Sequence, residues 1–202
     1  EDLVGYFMNC LDEQPFESPE ERQNYIIRGK NVLNAYFDRF ISIPIDKVVS
    51  AEMDLRNIPL RSGSETHSLK DDLLIKGKID RIEKTEEGIA VIDFKTGSTK
   101  TRNSIETGKH SDYMDQLRFY KLLYELKHPD QKVHKGVLIF VEEPQTHEFA
   151  LLEDDKELIA DKIVSTFEKI HKLEFDACDM HKQSDDGCKF CNYKLLCRVN
   201  AV

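Results

Sequence analysis

The run LIKGKIDRIEKTEEGIAVIDFKTG, Leu74 to Gly97, decides how this chain is read. Two segments rich in β-branched residues flank a polar turn, Thr85–Gly88, so the run predicts a β-hairpin. The second segment, IAVIDF, is almost wholly apolar yet carries Asp93, and Lys95 follows two residues on. Side chains at i and i+2 of a strand share a face. A turn centred on Glu86 and Glu87 pairs residues whose numbers sum to 173, which sets Asp80 opposite Asp93. Two carboxylates and an amine then meet on one patch of a buried sheet. Like charges so placed repel, and a divalent cation is the natural compensation.

Working outward, residues 3–11, LVGYFMNCL, suit a short helix. A loop leads to a helix start at Ser18 and Pro19. Glu20 to Phe40 carries the helical apolar stripe Tyr25, Ile26, Val32, Leu33, Tyr36, Phe37 and Phe40. Lys47–Leu55 alternates as a strand, with Val49, Ala51, Met53 and Leu55 on one face and Ser50, Glu52 and Asp54 on the other. Asn57–Asp72 and Gly97–Tyr113 are polar and read as loops. Asp112–Lys127 reads as a helix, His134–Val141 as a buried strand and Thr146–Leu152 as its partner. Asp154–Leu173 closes the pattern as a long amphipathic helix. The order αβββαββα predicts an α/β domain with a mixed central sheet flanked by helices. Residues 18–173 form its core and 174–202 a cysteine-containing tail within one domain, 1–202.

With 202 residues the chain is long enough for one substantial core. It starts at Glu1, which points to a piece excised from a longer protein. No apolar run approaches a membrane span and no signal-peptide pattern opens the chain. The formal charge of −9 argues against a nucleic-acid coat protein, but not against an enzyme with a local basic track. Five cysteines, four of them in the last 25 residues, do not suggest a secreted disulfide framework. They suit a metal or cluster site in a reducing, cytoplasmic compartment.

Asp80, Asp93 and Lys95 together suit metal-dependent phosphodiester hydrolysis. The carboxylates hold Mg2+ or Mn2+, with the Phe94 carbonyl as a further oxygen ligand. Lys95 orients the attacking water and steadies the developing charge. Glu52, mid-strand on a polar face, is a third candidate carboxylate. Gln116 and Tyr120 share a helix face, suited to bracing the lysine or bonding a nucleotide backbone. Lys76 and Lys78 share the strand face of Asp80 and suit phosphate contacts. In the tail, Cys188, Cys191 and Cys197 form C-x2-C-x5-C, a spacing that both Zn2+ and iron–sulfur clusters accept. Cys178, His181 and Cys10 are the candidates for a fourth ligand.

The strings GKIDRI, VIDFKTG and QLRFYKLL, in this order, resemble the RecB-type branch of the PD-(D/E)XK nuclease superfamily, from about Gly29 to Tyr120. That branch includes nuclease domains at the C-terminus of UvrD/PcrA-like and RecB/AddB helicases. The resemblance implies a restriction-endonuclease-like core and a Mg2+- or Mn2+-dependent deoxyribonuclease. It implies DNA, single-stranded at its ends, as substrate, and a superfamily 1 helicase as partner in repair or recombination. It makes Asp80 the first acidic metal ligand, Asp93 and Lys95 the (D/E)-x-K pair, and Gln116 and Tyr120 the Q-x3-Y signature. Glu52 falls where relatives carry a glutamate on the strand before the hairpin. The tail resembles the end of an iron–sulfur staple, in which Cys10 stands for the distant first cysteine, with Cys178 as its competitor. One departure stands out: many relatives carry G-x3-H on the first helix, and here Gly29 is followed by Leu33. The rival expectation is a module that binds DNA or a partner protein without cleaving, stapled by its cysteines.

Overall fold

The computed structural model describes residues 3–40, 45–60, 73–143 and 145–174. The chain divides into two compact units, Glu1–Asp161 and Lys162–Val202.

The first unit opens with two helices, α1 (Leu3–Asp12) and α2 (Pro19–Phe40). The α2 start is fixed by its sequence. The Glu21 N–H donates to Ser18 Oγ at 3.1 Å, and the Glu21 carboxylate accepts from the Glu17 N–H at 2.8 Å. Pro19 occupies the first-turn position that needs no N–H partner. Gly29 lets the two helices touch, because a Cβ there would lie 2.2 Å from the Phe7 ring.

Five strands follow among the described residues: β1 (Val48–Leu60), β2 (Leu73–Thr85), β3 (Gly88–Lys95), β4 (Val133–Phe140) and β5 (Gln145–Ala150). They form one sheet in the order β1-β2-β3-β4-β5. Of these, β3 and β4 run parallel, joined through the helix α4 (Asp112–Lys127), and the other neighbours pair antiparallel. The mixed sheet flanked by helices is the architecture expected. The hairpin register is also as expected, running from Arg81 opposite Ile92 to Thr85 opposite Gly88.

Both faces of β3 are covered, which explains its unbroken apolar run. On one face Ala90 and Ile92 cluster with Val137 and Ile139 beneath Tyr36 of α2. On the other face α4 lies against β4, and a Cβ on Gly136 would sit 2.9 Å from Leu117 Cδ1. Val91, Ile82 and Ile79 are fully buried. Each such side chain stabilises the fold by roughly 1.5–3 kcal/mol. Arg81 ties α2 to the hairpin: its Nη1 donates to Tyr36 Oη at 3.1 Å, and its guanidinium lies 5.1 Å from the Phe94 ring centroid.

Three expectations need correction. The strand expected to end at Leu55 runs on to Leu60 through a bulge, where Arg56 and Asn57 together face one residue of β2 and Asn57 takes φ 54°. Asparagine tolerates that left-handed conformation, so polarity there marks a bulge rather than a loop. Within β1, Val49 and Ala51 are exposed while Met53 and Leu55 point inward. The change falls at Glu52, whose φ of 54° breaks the alternation. Finally, the polar stretch after Gly97 contains a short helix, α3 (Arg102–Glu106). It is capped by Thr101, whose side chain accepts from the Ser104 N–H, and is anchored by fully buried Ile105.

The helix α5 (Asp154–His171) begins in the first unit, where Arg118 Nε donates to Asp155 Oδ1 at 2.7 Å. Within the second unit α5 ends at His171 and is stopped by Leu173, whose φ is 57°, with the Glu174 N–H donating to the Lys169 carbonyl at 2.9 Å. That is a Schellman-type stop.

Candidate active site

Asp93 and Lys95 leave β3 on the face that α4 covers. Asp93 is only 3% exposed, and its Oδ2 lies 2.7 Å from Lys95 Nζ. Gln116 on α4 bridges the pair. Its Oε1 accepts from Lys95 Nζ at 2.5 Å, and its Nε2 donates to Asp93 Oδ1 at 2.8 Å and to Tyr120 Oη at 2.8 Å. Tyr120 completes the ring by donating to Asp93 Oδ1 at 2.9 Å. Burial, reinforced by the charge of Asp93, pushes the Tyr120 phenol well above its ordinary range, so it stays a donor. The amide thus has one orientation that satisfies all partners: carbonyl to the ammonium, NH2 to the carboxylate and phenol.

Asp80 joins from β2, one step beyond the last paired residue of the hairpin. Instead of a ladder bond, the Phe94 N–H donates to Asp80 Oδ2 at 2.8 Å. Burial raises the Asp80 carboxyl pKa against the lowering effect of that hydrogen bond. The negative charges of Asp93 and Glu52 raise it further, and Lys95 opposes them. The patch therefore favours an added cation.

Glu52 stands across from Asp80, between the pairs Ala51–Arg81 and Met53–Ile79. Its carboxylate is turned out to Lys78 in an exposed ion pair. Lys76 is exposed on the same strand. Among the described residues no three histidine, cysteine or carboxylate side chains converge into a ready metal cage. The donor set nonetheless fits a hard cation that keeps waters and takes one or two carboxylates, as Mg2+ does. In support, Asp93 Oδ2 is buried and meets the Lys95 ammonium without a directional hydrogen bond.

Tyr113 is a member of this site that the motifs do not mark. Its ring centroid lies 4.6 Å from Lys95 Nζ. The signal was present in the sequence, because 113, 116 and 120 share one helix face. Leu33, at the place of the missing histidine, is half-buried on α2. Cys10 is exposed on α1. Cys178, His181, Cys188, Cys191 and Cys197 lie outside the described residues. No helix among the described residues is long and apolar enough to cross a membrane.

The model of the PD-(D/E)XK nuclease superfamily matches residues 2–198, and the chain belongs to that superfamily. The mixed sheet and its flanking helices are accordingly a restriction-endonuclease-like core. No curated protein matches the chain. Among solved structures, the crystal structure of SSO0001 aligns at 16% identity with a TM-score of 0.49, covering 96% of this chain and 78% of that one.

Proposed function

We propose that this chain is a metal-dependent DNA nuclease of the RecB-type branch, hydrolysing phosphodiester bonds at single-stranded ends. The observation that carries this reading is the closed Asp93–Lys95–Gln116–Tyr120 ring beside Asp80. A cluster kept only for stability would not bury a carboxylate next to a second one.

Asp80 and Asp93 would hold Mg2+ or Mn2+, with the Phe94 carbonyl and Glu52 as further oxygen donors. Such an ion activates water and stabilises the leaving oxygen when bound. Asp93 is held for that role by Tyr120 and Gln116, which fix its Oδ1. Lys95 presents its ammonium to the attacking water and the charged phosphate oxygens, oriented by the Gln116 carbonyl. One of its N–H donors is given to Gln116 while the ammonium lies against Asp93 as an ion pair, which leaves donor capacity for substrate.

The branch further suggests a helicase partner, in the same chain or complex, that delivers single strands during repair or recombination. Cys188, Cys191 and Cys197, with Cys10 or Cys178, would hold an iron–sulfur cluster or Zn2+. Iron content and visible absorbance of anaerobically purified protein test that assignment, and absence of both rejects the cluster.

The decisive assay is cleavage of labelled single-stranded DNA in Mg2+ and in Mn2+. Wild type cleaves, chelator stops it, and Asp93→Ala and Lys95→Ala lose at least about 100-fold. Tight DNA binding by a wild type that never cleaves would establish the non-cleaving module instead.

A further inference from the structure

We propose that Tyr113 is a positioning residue for Lys95, acting through its ring face rather than its hydroxyl. The inference rests on the nuclease reading for the importance of Lys95, but the contact itself is measurable without cleavage.

A lysine ammonium on a flexible four-carbon stem is not fixed by two oxygen partners alone. Asp93 Oδ2 at 2.7 Å and Gln116 Oε1 at 2.5 Å pull it toward the sheet and α4. The Tyr113 ring, 4.6 Å away, adds a third wall that attracts the cation. The ring is itself packed against two others. Phe140, fully buried in β4, lies 6.2 Å from it at 51°. His110 lies 6.1 Å away, at only 22° from parallel. The Tyr113 N–H donates to the His110 carbonyl at 3.2 Å, which fixes the turn that presents both rings. One half-buried ring faces the ammonium, and two further rings pack near that ring, which is more than a tyrosine at a helix start requires.

The test compares Tyr113→Leu with Tyr113→Phe in the full chain, using an end-labelled single-stranded oligonucleotide and Mn2+. Tyr113→Leu is expected to lower kcat about tenfold with KM within about twofold, the size of one partly desolvated cation–π contact. Tyr113→Phe, which keeps the ring, retains kcat within about twofold. A loss confined to KM would overturn the proposal, because it would mean that the ring binds nucleic acid instead. Loss of activity in both variants alike would also overturn it. The independent readout is trace acylation of lysines by acetic anhydride, followed by mass spectrometry. Lys95 should label several-fold faster in Tyr113→Leu and at the wild-type rate in Tyr113→Phe, with Lys127 as internal standard. If wild type does not cleave, the nuclease reading fails, yet the labelling still decides the contact; equal Lys95 labelling in all three proteins refutes it. Should Tyr113→Leu unfold, Tyr113→Met carries the same comparison.

Discussion

Gln116→Glu replaces an NH2 group by an oxygen at almost unchanged shape, and the ring around Asp93 gives its cost a pH dependence. The replaced nitrogen lies 2.8 Å from Asp93 Oδ1. Two unit charges at that separation repel by about 6 kcal/mol at an effective dielectric constant of about 20. Lys95, in contact with both groups, offsets part of this, and we take roughly half, ~3 kcal/mol, as the net cost. A folded protein facing that cost binds a proton instead, with an affinity raised by about two pKa units above the ordinary glutamate value of about 4.3. Between about pH 4.3 and 6.5 the folded variant then holds one proton more than its unfolded chain. Stability relative to wild type therefore falls as pH rises, by about 1.4 kcal/mol per unit, and levels off above that window. At pH 7.5 the variant should melt about 6–12 °C below wild type, and at pH 4.5 within about 2 °C of it. Gln116→Leu is the control: it loses the hydrogen bonds without adding charge, at about 1–2 kcal/mol and at all pH values alike. The assay is thermal unfolding by circular dichroism from pH 4.5 to 8. A Gln116→Glu protein whose deficit is the same at pH 4.5 and 7.5 would refute the assignment of the amide nitrogen to Asp93.

Asp80→Asn should abolish cleavage yet stabilise the fold. Because burial raises the Asp80 pKa, wild type loses that group's contribution as pH rises through its folded value, whereas asparagine still accepts from the Phe94 N–H. Its melting point relative to wild type should therefore climb by about 1–3 °C between pH 3.5 and 7.5, and a drop over that range would contradict the charge argument. Gly136→Val tests whether the seat of α4 sets the site, since even a Cβ would meet Leu117 at 2.9 Å. We expect about 2–3 kcal/mol of destabilisation in denaturant titrations, with reduced cleavage by the folded fraction. Wild-type stability and rate would show that the helix tolerates displacement.

Much of the site was legible because it rests on local periodicity. Period two places Asp93 and Lys95 together, the turn residues set the register that brings Asp80 near, and period 3.6 aligns Gln116 with Tyr120. What escaped depends on distant parts of the chain. The polarity of Asn57 looked like a loop because a bulge residue and a loop residue share the same chemistry. Ile105 is a single apolar residue in a polar stretch, too little periodicity to mark a helix, and its burial by the rest of the unit makes α3 form.

The sequence by itself determined which carboxylates and which amine share a strand face, since side-chain direction along a strand or helix follows from backbone geometry. Only the tertiary structure decided what those groups touch. The α4 helix had to dock on Gly136 before Gln116 could bridge Lys95 and Asp93. The kink at Glu52 had to turn that carboxylate toward Lys78. The ring of Tyr113 had to meet Lys95 across the crossover. Such contacts join residues far apart in sequence, and packing rather than periodicity selects them.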